Sequence, residues 1–375
     1  MTQTQCLAGS NVLAMAIGIL TSGGDAPGMN AAIGAITKVA ASRHLAVWGI
    51  EDGFDGLIDG SFRPLTRSVG KNGGLSPLPE VEYASGTGGT ILGTARSERF
   101  YTRQGRAQAA SNFARYSLTG LLVVGGNGSM EGAHHLAEEH RVPVIGIPAS
   151  IDNDIGLTRE AIGVDTALNT IVEACDRISD TARSHHRAFI VEVMGRHSGY
   201  LAMAAAVAVA ADVVLLPEQG RSPDEVVASV VDALRHSFAA SRDKTRVLIL
   251  KAEGVEIATE ELVDRVRVDL TDQLDVEVRA TILGHLVRGG NASFRDRLLA
   301  GRFGLVAVTG LLDGHTDMMV GWNLGGPGLE TSDSWIKLFP ISEVLRETEA
   351  LLDGSSQVTM DRVRRMEAIQ GVLSI

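Results

Sequence analysis

The stretch LAMAIGILTSGGDAPGMN, residues 13–30, places an apolar run directly before a glycine-rich turn and the start of a helix. The run from Leu13 to Leu20 is too short to span a bilayer, and no Lys or Arg precedes it as in a signal peptide. We interpret it as a buried first strand of a parallel sheet. The following helix starts near Pro27 and has apolar residues at helical spacing for packing against the sheet.

Short apolar runs alternate with helical stretches along the rest of the chain, which is typical of βαβ units. The predicted strands are 46–50, 121–124, 144–147, 189–193, 213–216 and 247–250. Ser222, Pro223 and Glu225 predict another helix start, as N-cap, first-turn proline and capping-box acid. Because 375 residues exceed what one compact core usually accommodates, we expect an α/β fold of two lobes that share one cleft.

Composition narrows the class of protein. Hydrophobic residues make up 45% of the chain and charged residues 21%, which favours a folded protein over a disordered one. The formal net charge of −11 disfavours broad attraction to nucleic acid or to an anionic membrane, so a bound phosphate must be held locally. The two cysteines, Cys6 and Cys175, form no disulfide framework or zinc spacing and predict a reducing, cytoplasmic location.

Two glycine-rich loops each follow a predicted strand and precede a helix. Glycines let the backbone approach a phosphate, and a helix N-terminus offers free N–H groups. The first loop is TSGGDAPGMN, residues 21–30, and the second is GGNGS, residues 125–129, before a helical stretch at 131–139. A tight turn without a ligand stays an alternative for each loop taken alone.

An acidic motif follows the predicted strand at 144–147. In PASIDND, residues 148–154, Asp152 and Asp154 can share a metal ion, or one can act as a base while the other holds the metal. An Asx-rich surface turn is the alternative. The apolar strand that ends at Pro148 favours a site, because ligands in such sheets bind at the carboxyl ends of strands.

Several arginines lie in glycine-rich contexts, and arginine is suited to bidentate contact with phosphate. Each alone is readily explained as a solvated surface charge, whereas several beside glycines in an acidic protein indicate an anion site. Arg279 and His285 are six residues apart and would not share a helical face, so we expect a strand followed by a loop. The set is Arg96, Arg187, Arg196, Arg279, His285 and Arg288.

Five motifs occur in this order along the chain: LTSGGDAPGMNAA, GGTxLGTAR, PxxIDNDI, VEVMGRxSG and RATxLGHxxRGG. With these motifs, the sequence closely resembles the 6-phosphofructokinase family over roughly residues 17–306. The resemblance implies two Rossmann-like three-layer α/β/α lobes with the active site in the cleft between them. It implies a larger nucleotide-binding lobe of residues 1–163 plus 288–337 and a smaller sugar-phosphate-binding lobe of residues 164–287 plus 338–375.

The activity that the resemblance implies is transfer of the γ-phosphoryl group of ATP to the 1-hydroxyl of fructose 6-phosphate, giving fructose 1,6-bisphosphate and ADP. ATP would be the co-substrate and Mg²⁺ the cofactor. In the family, Arg187 and Arg279 come from a neighbouring subunit, which implies a homo-oligomer, a tetramer or a dimer, with shared sites.

The resemblance also assigns roles to residues. Asp152 would be the base, and Ser150, where the family usually has threonine, would hydrogen-bond the transferred group. Arg96 and Arg196 would stabilise its charge, and Asp154 would support Asp152. The donor would contact Gly24, Arg96, Gly126, Asn127, Gly128 and Ser129, and the metal Asn127 and Asp154. The acceptor would contact Ser150, Asp152, Arg187, Met194, Gly195, Arg196, Glu253, Arg279, His285 and Arg288.

The chain departs from the family pattern at a few positions. Asn127 replaces an acid that normally contacts the magnesium, which should weaken the metal site. Gly128 and Ala149 are small where pyrophosphate-using members tend to carry an acid and a lysine, which favours ATP. Two alternatives stay open: the same fold with pyrophosphate or another ketose phosphate, and a catalytically weak sugar-phosphate-binding regulatory subunit. Gly321 to Leu329 match no family motif.

Overall fold

The computed structural model describes residues 15–70, 74–239, 244–271, 274, 276–325 and 327–364. Its larger sheet has seven strands, of which the inner five are parallel and the two edge strands antiparallel. In spatial order they are β13 (Ile336–Pro340), β12 (Met318–Trp322), β7 (Val144–Pro148), β6 (Leu118–Gly125), β1 (Ala16–Ser22), β2 (Ala46–Ile50) and β3 (Phe62–Pro64).

The smaller sheet has four parallel strands, in the order β11 (Val278–Ile282), β8 (Ala188–Val193), β10 (Val247–Ala252) and β9 (Val213–Leu215). An antiparallel ribbon joins β4 (Thr66–Val69) to β5 (Gly74–Pro77). All the predicted strands are therefore confirmed, although Leu13 and Ala14 lie outside the described residues.

Eleven α-helices with both ends described surround the two sheets, and residues 357–364 are also helical. The eleven are α1 (Met29–Ser42), α2 (Gly53–Asp59), α3 (Pro79–Ala84), α4 (Arg103–Arg115), α5 (Asn127–His140), α6 (Val164–His185), α7 (Tyr200–Ala208), α8 (Pro223–Ser237), α9 (Thr259–Leu270), α10 (Phe294–Leu312) and α11 (Ile341–Asp353). Short 3₁₀ helices cover Arg99–Tyr101, Pro217–Gln219 and Gly284–Arg288. In the part of the chain that the structure describes, no helix has the length and apolar character to cross a membrane.

The alternation of side chains along β1 explains the three layers of the larger lobe. Ile17 and Ile19 pack on the face covered by α1 and α10, whereas Leu20 packs on the face covered by α2, α4 and α5. The first of these clusters continues through α6 into the smaller sheet, so the two lobes share apolar packing. The predicted two-lobed α/β architecture is confirmed.

The predicted capping box is present at the start of α8: the Ser222 side chain accepts from the Glu225 backbone, and the Glu225 carboxylate accepts from the Ser222 backbone. The domain boundaries stay a prediction. One of them, after residue 337, falls inside β13, and α11 contacts α5 of the larger lobe.

A buried carboxylate joins the two long helices that connect the lobes. Asp296, in the first turn of α10, is fully buried and accepts hydrogen bonds from the backbone N–H groups of Gly163 and Thr166, both at 2.8 Å. It also accepts from the Thr166 hydroxyl at 2.6 Å. Asp296 thereby caps the N-terminus of α6 from outside that helix.

Candidate functional site

The carboxyl ends of β1, β6 and β7 meet at one edge of the larger sheet, because these three strands are parallel neighbours. The loops that follow them enclose a cleft of about 320 Å³. Ten residues that the sequence analysis singled out line this cleft together: Gly24, Arg96, Gly126, Asn127, Gly128, Ser129, Ser150, Asp152, Asp154 and Arg288.

The second glycine-rich loop is in fact the first turn of α5. Its helix was predicted to start near Glu131, but α5 begins at Asn127 with Gly126 as the extended N-cap residue. Glycine, asparagine and serine are weak helix formers, so sequence propensity hid the true start. The Ser129 hydroxyl donates to the Ser22 carbonyl at 3.0 Å and ties this turn to the end of β1. The first N–H groups of α5 therefore face the cleft.

The acidic loop is held by short-range hydrogen bonds. The Asn127 Nδ2 group donates to Asp154 Oδ2 at 2.8 Å, and the Ser150 hydroxyl donates to Asp154 Oδ1 at 3.4 Å. The Asp152 backbone N–H donates to the Ser150 hydroxyl at 3.3 Å. Asn153, between the two acids, has a positive φ of 49° and turns the chain so that both carboxyl groups line the same cleft.

The environment of the acidic pair shifts both groups towards the protonated form. Burial, followed by repulsion from Asp154, raises the pKa of Asp152 to about 6, and attraction to Arg288 opposes this shift. Burial also raises the pKa of Asp154, although hydrogen bonds from its own backbone N–H, from Ser150 and from Asn127 counteract it. Asp152 is therefore ionised at neutral pH yet accepts a proton more readily than an ordinary aspartate.

Two arginines bring positive charge to the cleft. Arg288 ends the 3₁₀ helix Gly284–Arg288 and donates to the Asp25 carbonyl at 3.1 Å. A Cβ atom at Gly24 would lie 3.0 Å from Arg288 Nη1, so a side chain there would displace this guanidinium. Arg96 is exposed at the cleft wall, beside a loop in which the Gly23 N–H donates to the Ala95 carbonyl at 3.4 Å.

A second group of predicted residues lies at the carboxyl end of the smaller sheet. Met194, Gly195 and Arg196 follow β8 and pack against the loop after β10, where the Glu253 N–H donates to the Val193 carbonyl at 2.9 Å. Arg196 is exposed. These residues do not line the 320 Å³ cleft, but their chain continues into it: Ser198 donates to the Asp152 carbonyl at 2.9 Å. His285 is exposed on the 3₁₀ helix that also carries Arg288.

Arg187 and Arg279 lie at the opposite edge of the smaller sheet. Arg187 directly precedes β8, and Arg279 pairs with Phe189 near the start of β11. Both guanidinium groups form ion pairs with Glu277. Because β8 is roughly 20 Å long, these two arginines and Arg196 cannot contact one small ligand within the same chain.

Several further side chains line the cleft, including Ser97 and Tyr101, two positions that the family resemblance places beside the adenine and at which this chain differs from the residues usual there. Tyr101 is 69% exposed at its wall, and Phe100 stacks on Phe54 with 4.0 Å between ring centroids. The Arg106 guanidinium holds this segment by donating to the carbonyls of Phe100 and Tyr101 and to both oxygens of Glu139. His135 and His197 also line the cleft. Ser97 also lines the cleft, although it is largely buried and its hydroxyl donates to Asp55 at 2.6 Å.

The oxygen atoms near Asn127 fit a small, hard cation. Asn127 Oδ1 is buried and has no hydrogen-bond partner among the described residues, and the Asp154 carboxylate lies on the other side of the same amide. No cluster of three or more His, Cys, Asp or Glu side chains forms a metal site in the described chain. The residues therefore fit Mg²⁺, which typically takes one or two protein ligands and completes its shell with water and phosphate.

Comparison with known proteins agrees with this geometry. Residues 16–311 match the family model described as phosphofructokinase. The chain is 44% identical to the ATP-dependent 6-phosphofructokinase of Thermotoga petrophila over 81% of this chain and 88% of the relative. It is 42% identical to ATP-dependent 6-phosphofructokinase 1 of Thermus thermophilus, with the same coverage.

A solved structure of phosphofructokinase from Saccharomyces cerevisiae superimposes with a TM-score of 0.77 and 30% identity over 94% of this chain. This chain spans 48% of that yeast chain, about half of its length. The fold, the cleft and the sequence relatives agree, and the chain belongs to the phosphofructokinase family.

Proposed function

We propose that this protein transfers the γ-phosphoryl group of ATP to the 1-hydroxyl of fructose 6-phosphate. The observation that carries the proposal is the position of Asp152: an acid of raised pKa in a cleft walled by glycine-rich turns and by Arg96 and Arg288. Phosphoryl transfer needs positioning and neutralisation of charge more than covalent chemistry, and this cleft supplies both.

The donor site is formed by the turns after β1 and β6. The N-terminus of α5 and Gly24 leave room for the β- and γ-phosphates, and Gly126 and Ser129 shape the turn. A Cβ atom at Gly128 would meet only the Tyr101 hydroxyl, at 3.9 Å, so the cleft is open there for the α-phosphate and nucleoside. This space supports ATP as the donor in preference to pyrophosphate.

The chemical step follows from the acidic loop. Asp152 accepts the proton of the sugar's 1-hydroxyl while that oxygen bonds the γ-phosphorus. The bond from the γ-phosphorus to the bridging oxygen breaks, and ADP leaves with its electrons. Ser150 donates a hydrogen bond to the transferred group, and Arg96 and Arg196 neutralise its charge. Arg196 lies outside the cleft, so it would reach the transferred group only after the loops of the two lobes close around the bound sugar.

Asn127 and Asp154 would hold Mg²⁺ through the Asn127 amide oxygen and one carboxylate oxygen. The bound ion would neutralise negative charge on the donor phosphates. Compared with two acids, this pair offers one negative charge fewer, so we expect a higher Mg²⁺ requirement than in relatives with an aspartate at this position.

The acceptor would lie between the lobes, with Met194, Gly195 and Glu253 on the sugar. Its 6-phosphate would be held by His285 and Arg288 of one copy and by Arg187 and Arg279 of a second copy, because these last two lie at the far edge of the smaller sheet. We therefore propose a homo-oligomer, a dimer or a tetramer, with shared sites. The larger lobe would bind the nucleotide and the smaller lobe the sugar phosphate, in a protein of the cytoplasm.

The test is an assay of the purified protein with Mg²⁺, either ATP or pyrophosphate, and a panel of ketose phosphates, with binding of the sugar phosphate measured in parallel. We expect phosphorylated product from ATP and fructose 6-phosphate. Asp152→Ala should lower turnover by at least about a thousandfold while sugar-phosphate binding survives. Binding without turnover by the unaltered protein would instead establish a regulatory subunit, and product from pyrophosphate alone would overturn the assignment of the donor.

A further inference from the structure

A second, larger cavity lies behind the acidic loop. It holds about 640 Å³ and shares no lining residue with the cleft that contains Asp152. Its walls come from the chain after the acidic pair, from α7, from the end of β12 and from α11 and the residues that follow it. The segment that matched no motif in the sequence supplies Trp322, Asn323 and Leu324 to this wall.

Trp322 lines the cavity beside Arg159. Two guanidinium groups lie near its ring, that of Arg159 at 5.7 Å and that of Arg295 at 5.1 Å from the ring centroid. Its Nε1 atom is buried and has no hydrogen-bond partner among the described residues. Because solvent does not reach this N–H, the ring of Trp322, and not its N–H, lines the cavity.

The charges around the cavity favour an anion. Arg159 is exposed at its rim, and Arg362 lies 4.9 Å from the centroid of the Tyr200 ring. Glu347 is the one carboxylate among the described lining residues, and its Oε1 atom already accepts from the Ser356 hydroxyl at 2.6 Å. The lining also includes apolar side chains, among them Ile155, Leu157, Met203 and Leu351.

We propose that this cavity is a second ligand site, which binds a small organic anion with an apolar or aromatic body. The carboxylate or phosphate of the ligand pairs with Arg159 and Arg362, and its body packs on the apolar lining and on the Trp322 ring. This site does not rest on the proposed phosphoryl transfer, because it uses none of the same residues.

The cavity is tied to the backbone that carries the acidic pair. Arg362 Nη2 donates to the Asn153 carbonyl at 3.4 Å, and Asn153 Nδ2 donates to the Arg159 carbonyl at 3.1 Å. A ligand held by these arginines therefore lies against the turn that positions Asp152 and Asp154.

The experiment is titration calorimetry of the full chain with the cleft filled by Mg²⁺, a non-hydrolysable ATP analogue and fructose 6-phosphate. Phenyl phosphate and benzoate test the two kinds of acidic group, and inorganic phosphate and phenol each lack one half of the proposed ligand. We expect saturable binding of one or both aromatic anions, with phosphate and phenol at least about tenfold weaker. Absence of saturable binding by both aromatic anions would overturn the site.

Substitutions locate the binding. Arg159→Ala removes an exposed charge and should weaken binding of the aromatic anion by about tenfold or more. Arg364→Ala is the matched control, since this exposed arginine pairs with Asp361 and does not line the cavity. Equal affinities for Arg159→Ala and Arg364→Ala would contradict the proposal. The transfer assay on the same preparations reports independently on the proposed function.

Discussion

At the scale of single residues, the site is dominated by an acid that is costly to keep ionised. The pKa of Asp152 rises from 3.8 to about 6 through burial and through repulsion from Asp154. The pKa of such a base is close enough to neutral pH for the group to take up a proton and release it again. The same property should lower the stability of the folded protein once the group ionises.

The stability cost of Asp152 has a defined pH window. The folded state binds this proton more tightly than the unfolded state, so the free energy of unfolding falls as pH rises from about 4 to above 6, by up to about 3 kcal/mol. Asp152→Asn removes this loss. In urea unfolding, the free energy of unfolding of Asp152→Asn, relative to that of the unaltered protein, should be higher at pH 7.5 than at pH 5. The exposed control Asp232→Asn should show no such difference between the two pH values. A gain that is the same at both pH values would contradict this account.

We expect the side chain at position 127 to determine the Mg²⁺ concentration that activity requires. In Asn127→Asp, a second carboxylate replaces the amide that now donates to Asp154 at 2.8 Å. Without Mg²⁺ the repulsion should lower the melting temperature, and the Mg²⁺ concentration for half-maximal activity should fall several-fold to tenfold. Asn169→Asp is the matched control, because this exposed amide donates to Asp165 at 3.1 Å far from the cleft. Unchanged Mg²⁺ dependence in Asn127→Asp would remove position 127 from the metal site.

The sequence revealed the residues that directly follow predicted strands, such as Gly24, Gly126 and Asp152, because strand ends and ligand sites coincide in parallel sheets. It did not indicate His135, and it placed Tyr101 beside the nucleotide only through the family resemblance. Tyr101 reaches the cleft only because Arg106 and Glu139, which are 33 residues apart, clamp its segment. Such a contact depends on packing between helices and leaves no periodic signal along the chain.

At the scale of elements, the predicted strands and the α8 capping box follow local rules, whereas the start of α5 does not. The α5 helix begins in weak helix formers because the end of β6 and the Ser129–Ser22 hydrogen bond fix its first turn. Likewise the start of α6 at Val164 depends on a distant residue, since its cap is Asp296 of another helix.

The Asp296 cap should contribute more to the free energy of unfolding than an ordinary N-cap does. Asp296→Ala leaves two backbone N–H groups and one hydroxyl without their acceptor in the core, so we expect a loss of about 3–5 kcal/mol in the free energy of unfolding. Urea unfolding measures the difference, and Asp232→Ala, on the exposed face of α8, is the control. A loss below about 1 kcal/mol would mean that α6 does not depend on this cap.

At the scale of the whole molecule, the predicted acceptor residues divide between two edges of the smaller sheet. Arg196 follows β8 close to the loop that carries Asp152, whereas Arg187 and Arg279 lie at the far end of the smaller sheet, around Glu277. The proposed shared site reconciles them, and it makes activity a property of the assembly.

Mixing two inactive variants tests this arrangement. Asp152→Asn lacks the base, and the double variant Arg187→Ala/Arg279→Ala lacks the arginines for the neighbouring site. After unfolding and refolding together, the mixture should regain activity, roughly a quarter of the unaltered level for random dimers, since half are hybrids with one complete site of two. Each variant refolded alone is the control. No recovery, with hybrids detected by mass, would place all the acceptor residues within one copy.

The position of β7 between β6 and β12 has a consequence for synthesis of the chain. β7 is wholly buried and carries the acidic loop, yet its partner β12 lies about 170 residues later in the sequence. In a nascent chain interrupted before residue 318, β7 would be an unpaired edge strand that could pair with strands of other chains. The loop that carries Asp152 therefore gains its last neighbouring strand only after residues 318–322 have been synthesised.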